Sequence, residues 1–184
     1  MKLPNKVIIK QKVEMLEVIT RIEGKNRYSV HDEQGRLLLY AVEQSNPFLR
    51  VLLNKARPLK VRVFDPNGNE VMIISRPMSW TTPKYNVICE NNRIGRINWV
   101  LKWKEAYFEV IGNEEYKLPR TTHLWTYDIL KGDNKVGQIL KKWSGLTKEL
   151  FTDADNFMID FGTVKEKMLL VATGIAIDLT FFEN

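Results

Sequence analysis

The segment from Val164 to Glu183, VKEKMLLVATGIAIDLTFFE, constrains the fold more than any other part of the chain. It holds no proline and no turn cluster, and it is too long for an ordinary strand, which predicts a helix over about residues 164–182. From Met168 to Phe182 it is apolar around the whole circumference apart from Thr173, Asp178 and Thr180. A helix of that kind has to be sheathed, by protein or by lipid. Fifteen residues rising ~1.5 Å each reach roughly 22 Å, short of a hydrocarbon layer about 30 Å thick, and an aspartate would sit inside it. The helix is therefore expected at the centre of a protein core. Asp178 must then reach the rim or pair with a basic side chain.

The rest of the chain supplies a sheath. Short runs of β-branched and aromatic residues flank turns rich in Asp, Asn and Gly: Tyr28–Val30 and Leu37–Val42 around Gly35, Val61–Phe64 and Val71–Ile74 around Asp65–Gly68, Val87–Cys89 and Ile97–Val100 around Glu90–Gly95. Phe108–Ile111 leads into Gly112–Glu115, and Tyr127–Leu130 and Val136–Leu140 flank Gly132–Asn134. Gly and Asn accept the positive φ such turns need, and Pro66 suits the first corner of a β-turn. Five hairpin signals predict an antiparallel meander, and a meander closed around one helix buries that helix and removes exposed sheet edges. Val13–Ile19 reads equally as a short helix or a strand. The 184 residues carry no Pro/Gly/Ser-rich linker and fit a single domain spanning 1–184.

Composition narrows the chemistry. One cysteine, Cys89, and two histidines, His31 and His123, exclude a disulfide framework and argue against a Cys/His zinc site. Cys89 reads as a small core residue and His31, beside a turn, as a solvated one. No nucleotide-binding glycine motif and no nucleophile elbow is present, so no catalytic residues are assigned. Five tryptophans read mostly as core. The stretch Trp99-Val-Leu-Lys-Trp103-Lys mixes aromatic and basic groups as membrane-interface contacts do, and barrel interiors also take large aromatics. The N-terminal residues lack a secretory signal pattern, so a cytoplasmic location is expected.

The net charge is +6, from 28 basic and 22 acidic residues, and the excess lies in the first half. Between Glu43 and Asp65 no acidic residue occurs, while Arg50, Lys55, Arg57, Lys60 and Arg62 all do. Such a stretch attracts phosphate, on lipid headgroups or on nucleic acid, unless it is merely a solvated edge. Alternation in Lys60-Val-Arg-Val-Phe64 puts Lys60 and Arg62 on one face, expected to point outward. The acidic cluster Asp153, Asp155, Asn156 and Asp160 offers the hard oxygen ligands calcium prefers. It fails as an EF-hand loop, since Phe157, Met158 and Val164 stand where ligand, glycine and glutamate are required. The alternation of Phe157, Ile159 and Phe161 against Met158 and Asp160 reads instead as a strand.

Lys142-Trp-Ser-Gly145, Phe151-Thr-Asp-Ala-Asp-Asn-Phe157, Ile177-Asp178 and Phe181-Phe-Glu183 closely resemble the phospholipid scramblase family. The likeness continues upstream through Asn26-Arg-Tyr28, Ala41-Val-Glu43, Arg57-Pro58, Asp65-x-x-Gly68 and Arg76-Pro77. The resemblance implies a mainly β fold: a tubby-like closed antiparallel barrel of about twelve strands around the buried C-terminal helix. It also implies binding of anionic phospholipid and calcium-stimulated, ATP-independent movement of phospholipids between leaflets, with no enzymatic reaction. Relatives with this fold also act as adaptors, so the alternative is a ligand-binding barrel that contacts protein or nucleic acid. Eukaryotic members carry a palmitoylated cysteine cluster where this chain reads Met78–Tyr85, with no cysteine. They close the calcium motif with acidic residues where this chain reads Gly162-Thr-Val-Lys165. Calcium binding is accordingly expected to be weak or absent at physiological concentration. The chain is expected to be a minimal, barrel-only member, peripheral on the inner face of the plasma membrane.

Overall fold

Alternation at period two turns the short apolar runs into a barrel wall. In Leu59–Phe64, Leu59, Val61 and Val63 face inward and are buried, while exposed Lys60 and half-buried Arg62 face outward as expected. The computed structural model describes residues 2–11, 26–44, 48, 52–53, 56–120, 126–141 and 156–181. Within them run β1 (Lys6–Gln11), β2 (Arg27–His31), β3 (Leu37–Gln44), β4 (Leu59–Phe64), β5 (Glu70–Arg76) and β6 (Lys84–Cys89). There follow β7 (Asn92–Lys102), β8 (Glu105–Ile111), β9 (Glu115–Pro119), β10 (Thr126–Lys131), β11 (Asn134–Lys141), β12 (Asn156–Asp160) and the helix α1 (Lys167–Phe181). Each strand pairs antiparallel with its neighbours in sequence, and β1 pairs with β12, Val7 opposite Ile159, to close the barrel. Residues 13–19 lie outside the described residues.

In an up-and-down barrel alternate connections share an end. The five hairpin turns expected from sequence are all present, and all lie at one end, here the turn end. At Asp65–Asn69 the Asp65 carboxylate accepts hydrogen bonds from the backbone N–H groups of Asn67 and Asn69, both 2.9 Å, and Gly68 takes the positive φ of 89° that the turn requires. The remaining connections form the opposite, loop end. β12 finishes at the turn end, so α1 starts there and runs through the lumen until its last turn reaches the loop end.

The helix begins three residues later than the sequence suggests, because the residues before it close the turn end. The Lys167 ammonium donates to Leu3 O, Pro4 O and Asn5 Oδ1, each at 2.9 Å. The Glu166 carboxylate accepts from the backbone N–H groups of Asn113, at 2.8 Å, and Glu114, at 3.2 Å. From Leu169 to Leu179 every helical residue is buried. Gly174 faces β1 and β12, where an added Cβ would lie 2.8 Å from Ile9 Cδ1 and 3.1 Å from Ile159 Cδ1. No larger residue fits between helix and wall there without displacing those side chains. Among the described residues no helix is long and apolar enough to cross a membrane.

Candidate functional site

The lumen is apolar through its middle and charged at the loop end. Three strands finish their inward-facing series on a charge: Leu39, Ala41 and Glu43 on β3, Met72, Ile74 and Arg76 on β5, Ile139 and Lys141 on β11. Glu43 is fully buried and accepts from the Arg57 guanidinium at 2.8 Å and from the Asn26 amide at 2.5 Å. Asp178, on the last turns of α1, resolves as a paired residue rather than a rim residue. The Tyr28 hydroxyl donates to its Oδ2 at 2.9 Å, and the Lys141 ammonium lies 4.0 Å from its Oδ1. Arg76 reaches Tyr85 Oη at 3.4 Å, Tyr85 donates to Thr180 Oγ1 at 3.0 Å, and Thr180 donates to Ala176 O at 2.7 Å. Lys141 beside Asp178, and Arg76 linked through Tyr85 to Thr180, bring cations near the C-terminal turns of α1, the end of the helix that carries partial negative charge.

By sequence Arg57 belongs to the phosphate-attracting stretch, but its guanidinium is buried against Glu43 and is not offered to the outer surface. Lys60 is exposed. Arg62 pairs with Glu70 and stacks over the Phe64 ring at 5.0 Å. Arg50 and Lys55 lie outside the described residues. Among those described, further exposed cations mark the loop end: Lys84 at the start of β6, and Lys102 and Lys104 at the β7–β8 turn.

The loop end is also where apolar side chains meet solvent. Among the described residues all six exposed large hydrophobic side chains lie there: Phe48 and Leu52 between β3 and β4, Met78 and Trp80 between β5 and β6, Leu101 and Trp103 where β7 turns into β8. Trp80 is 73% exposed and Trp103 98%, so these two are not the core residues expected from composition. Trp99 is half-buried and packs edge-on against Phe181, ring centres 4.9 Å apart. Between these groups a recess of about 510 Å³ opens, walled by Trp80, Trp99, Leu101, Leu179 and Phe181 with Arg76 among the lining groups. Sequence reasoning missed this recess. The signal available was the parity of Leu101 and Arg76 with the buried residues of their strands.

His31 is half-buried rather than solvated, its ring nitrogens 3.0 Å from Gly35 O and 2.9 Å from Ser29 Oγ. Burial lowers its pKa. Cys89 packs against the core, where burial pushes its thiol up.

The family model named Scramblase matches residues 1–184. The chain belongs to the Scramblase family. It is 28% identical to phospholipid scramblase 1 of Rattus norvegicus over 208 residues, covering 98% of this chain and 60% of that protein. It is 28% identical to phospholipid scramblase 2 of Bos taurus, covering 97% and 69% respectively. A phospholipid scramblase family protein of Schizosaccharomyces pombe is 26% identical, covering 94% and 52%. This scramblase-family chain thus spans about 60% of the length of the rat relative. No solved structure gives a significant match.

Of the calcium candidates in this scramblase-family barrel, Asp153 and Asp155 lie outside the described residues. Asn156 and Asp160 occupy opposite ends of β12, and four residue rises along the strand separate them by ~13 Å. Asp160 accepts from the backbone N–H of Gly162 at 3.0 Å and lies 4.0 Å from the Lys6 ammonium. Among the described residues no three His, Cys, Asp or Glu side chains gather closely enough to hold a metal ion.

Proposed function

We propose that this chain is a phospholipid scramblase-like protein that binds anionic phospholipid through the loop end of its barrel and moves phospholipids between leaflets. The observation that carries this reading is the gathering of exposed Trp, Phe, Leu and Met side chains at one end, bordered by exposed lysines. Aromatic rings and long basic side chains are the groups that suit the boundary between headgroups and acyl chains. Single exposed apolar residues are ordinary on a protein surface; six at one end of a barrel mark a contact surface. Family membership supports lipid as the partner. A peripheral position on the cytoplasmic face of the plasma membrane, which carries anionic lipid, fits this chemistry. Lipid movement of this kind follows its gradient and makes or breaks no covalent bond. Calcium binding through Asp153, Asp155 and Asn156 is expected to be weak or absent at physiological concentration, since no acidic closure follows Phe161.

Flotation tests the docking step. The protein is expected to float with vesicles containing phosphatidylserine and to stay behind with pure phosphatidylcholine. Reversing the charge at Lys60 (Lys60→Glu) is expected to weaken that binding roughly ten- to thirtyfold at low salt, since each cation near an anionic surface contributes about 1 kcal/mol. Equal flotation of parent and variant would make the Lys60 edge mere solvated surface. Failure of the parent to float at all would favour the adaptor reading. Reconstitution with a fluorescent lipid and an impermeant quencher then tests movement between leaflets: the protein is expected to make the inner-leaflet label accessible.

A further inference from the structure

We propose that the recess at the loop end holds one acyl chain of a phospholipid whose anionic headgroup stays at the rim. The proposal rests on the docking reading above and adds the substrate group that the barrel itself grips. Its first support is the inner face of β7, where Ile97 is fully buried, Trp99 half-buried and Leu101 67% exposed. All three point toward the lumen, and among the described residues the helix packs the barrel up to Trp99 and leaves the layer at Leu101 open. Leu179 and Phe181 of α1, Trp80 of the β5–β6 connection and Leu101 all line the recess in that layer. The lining is predominantly apolar, and about 510 Å³ falls within the usual range for small-molecule sites.

The second support is where charge lies along the same segments. Lys102 follows Leu101 and Lys84 follows Pro83, another wall residue. Strand alternation sends both exposed lysines outward from the recess edge. An apolar slot whose bordering segments carry exposed lysines on their outer faces is complementary to one lipid: tail inside, phosphate outside. A free phosphate or a soluble anion would satisfy only the lysines. A protein partner's side chain would not need the flanking cations. The slot also opens on the end carrying Trp80 and Trp103, so a chain leaving the bilayer there enters the recess without crossing water.

The test separates slot from surface. Dihexanoyl phosphatidylserine, kept below its micelle concentration, is titrated into the intact protein by calorimetry, with glycerophosphoserine as the tail-free control. The expected result is saturable one-to-one binding of the lipid and none of the control. Leu101→Lys puts a charge in the slot wall while adding to the positive rim. Because Leu101 is largely exposed, the variant is expected to keep the parent's melting curve. It is expected to bind the short-chain lipid at least tenfold more weakly and still float with phosphatidylserine vesicles. Trp103→Ala is expected to do the reverse, reducing flotation while leaving lipid titration unchanged. Equal binding of lipid and tail-free control, or unchanged binding by Leu101→Lys, would overturn the acyl-chain slot. A parent that floats but binds no short-chain lipid would overturn the slot and leave surface docking standing. A parent that neither floats nor binds it would overturn both.

Discussion

Deleting residues 164–184 is expected to abolish the cooperative unfolding transition of the whole barrel, not merely to trim its end. The deleted segment contains α1, in which Leu169, Leu170, Val171, Ile175, Ile177 and Leu179 are all 0–1% exposed. Truncating a single buried Leu or Ile to Ala costs about 2–5 kcal/mol, against a total domain stability of roughly 5–15 kcal/mol. Losing the helix empties the lumen that Phe108, Tyr127, Ile159 and their neighbours face from the wall. It also removes the Asp178 carboxylate beside Lys141 and Tyr28. Circular dichroism melts of the two chains decide the matter. A truncated chain that melts cooperatively at the parent's temperature would mean that the barrel holds without its helix.

The second large effect concerns the buried pair at the loop end. Glu43→Ala is expected to destabilise the protein by about 3–5 kcal/mol, because it removes the buried carboxylate that accepts from both Arg57 and Asn26. The joint replacement Glu43→Leu with Arg57→Met is expected to cost much less, since it removes both desolvation penalties together and leaves apolar groups of similar volume. Urea unfolding at constant slope of this double variant and of Glu43→Leu and Arg57→Met singly gives the three values, and the shortfall from additivity measures the coupling. A double variant as unstable as the sum of its parts would place the stabilisation elsewhere, in the packing of either residue alone.

How much of this was legible in the sequence depends on the range of the interaction involved. The helix in the lumen followed from length and all-round apolarity, which are local properties. So did the five tight turns, because a turn's φ requirements are met by the residues within it, as Asp65 and Gly68 illustrate. The outward direction of Lys60 and Arg62 followed from period-two alternation alone. The loop end behaved differently. The β5–β6, β7–β8 and β9–β10 connections carry no Asp-Asn-Gly cluster, so the sequence indicated the turn end of the barrel and left this end unread.

The recess and the charged ring were decided by tertiary structure. Arg57 looked like its basic neighbours because charge counts along a chain ignore depth; only the approach of β3 makes it the partner of Glu43. Trp80 and Trp103 read as core residues because aromatics usually are, yet both lie in loop-end connections beyond the packed part of the lumen and meet solvent. Leu101 shares the inward parity of Ile97 and Trp99 but extends past the last turn of the helix, so it faces an opening instead of a packed lumen. Where a strand outruns what fills it is a matter of relative lengths across the fold. Wall and helix are each legible alone, and their offset arises only when both are assembled.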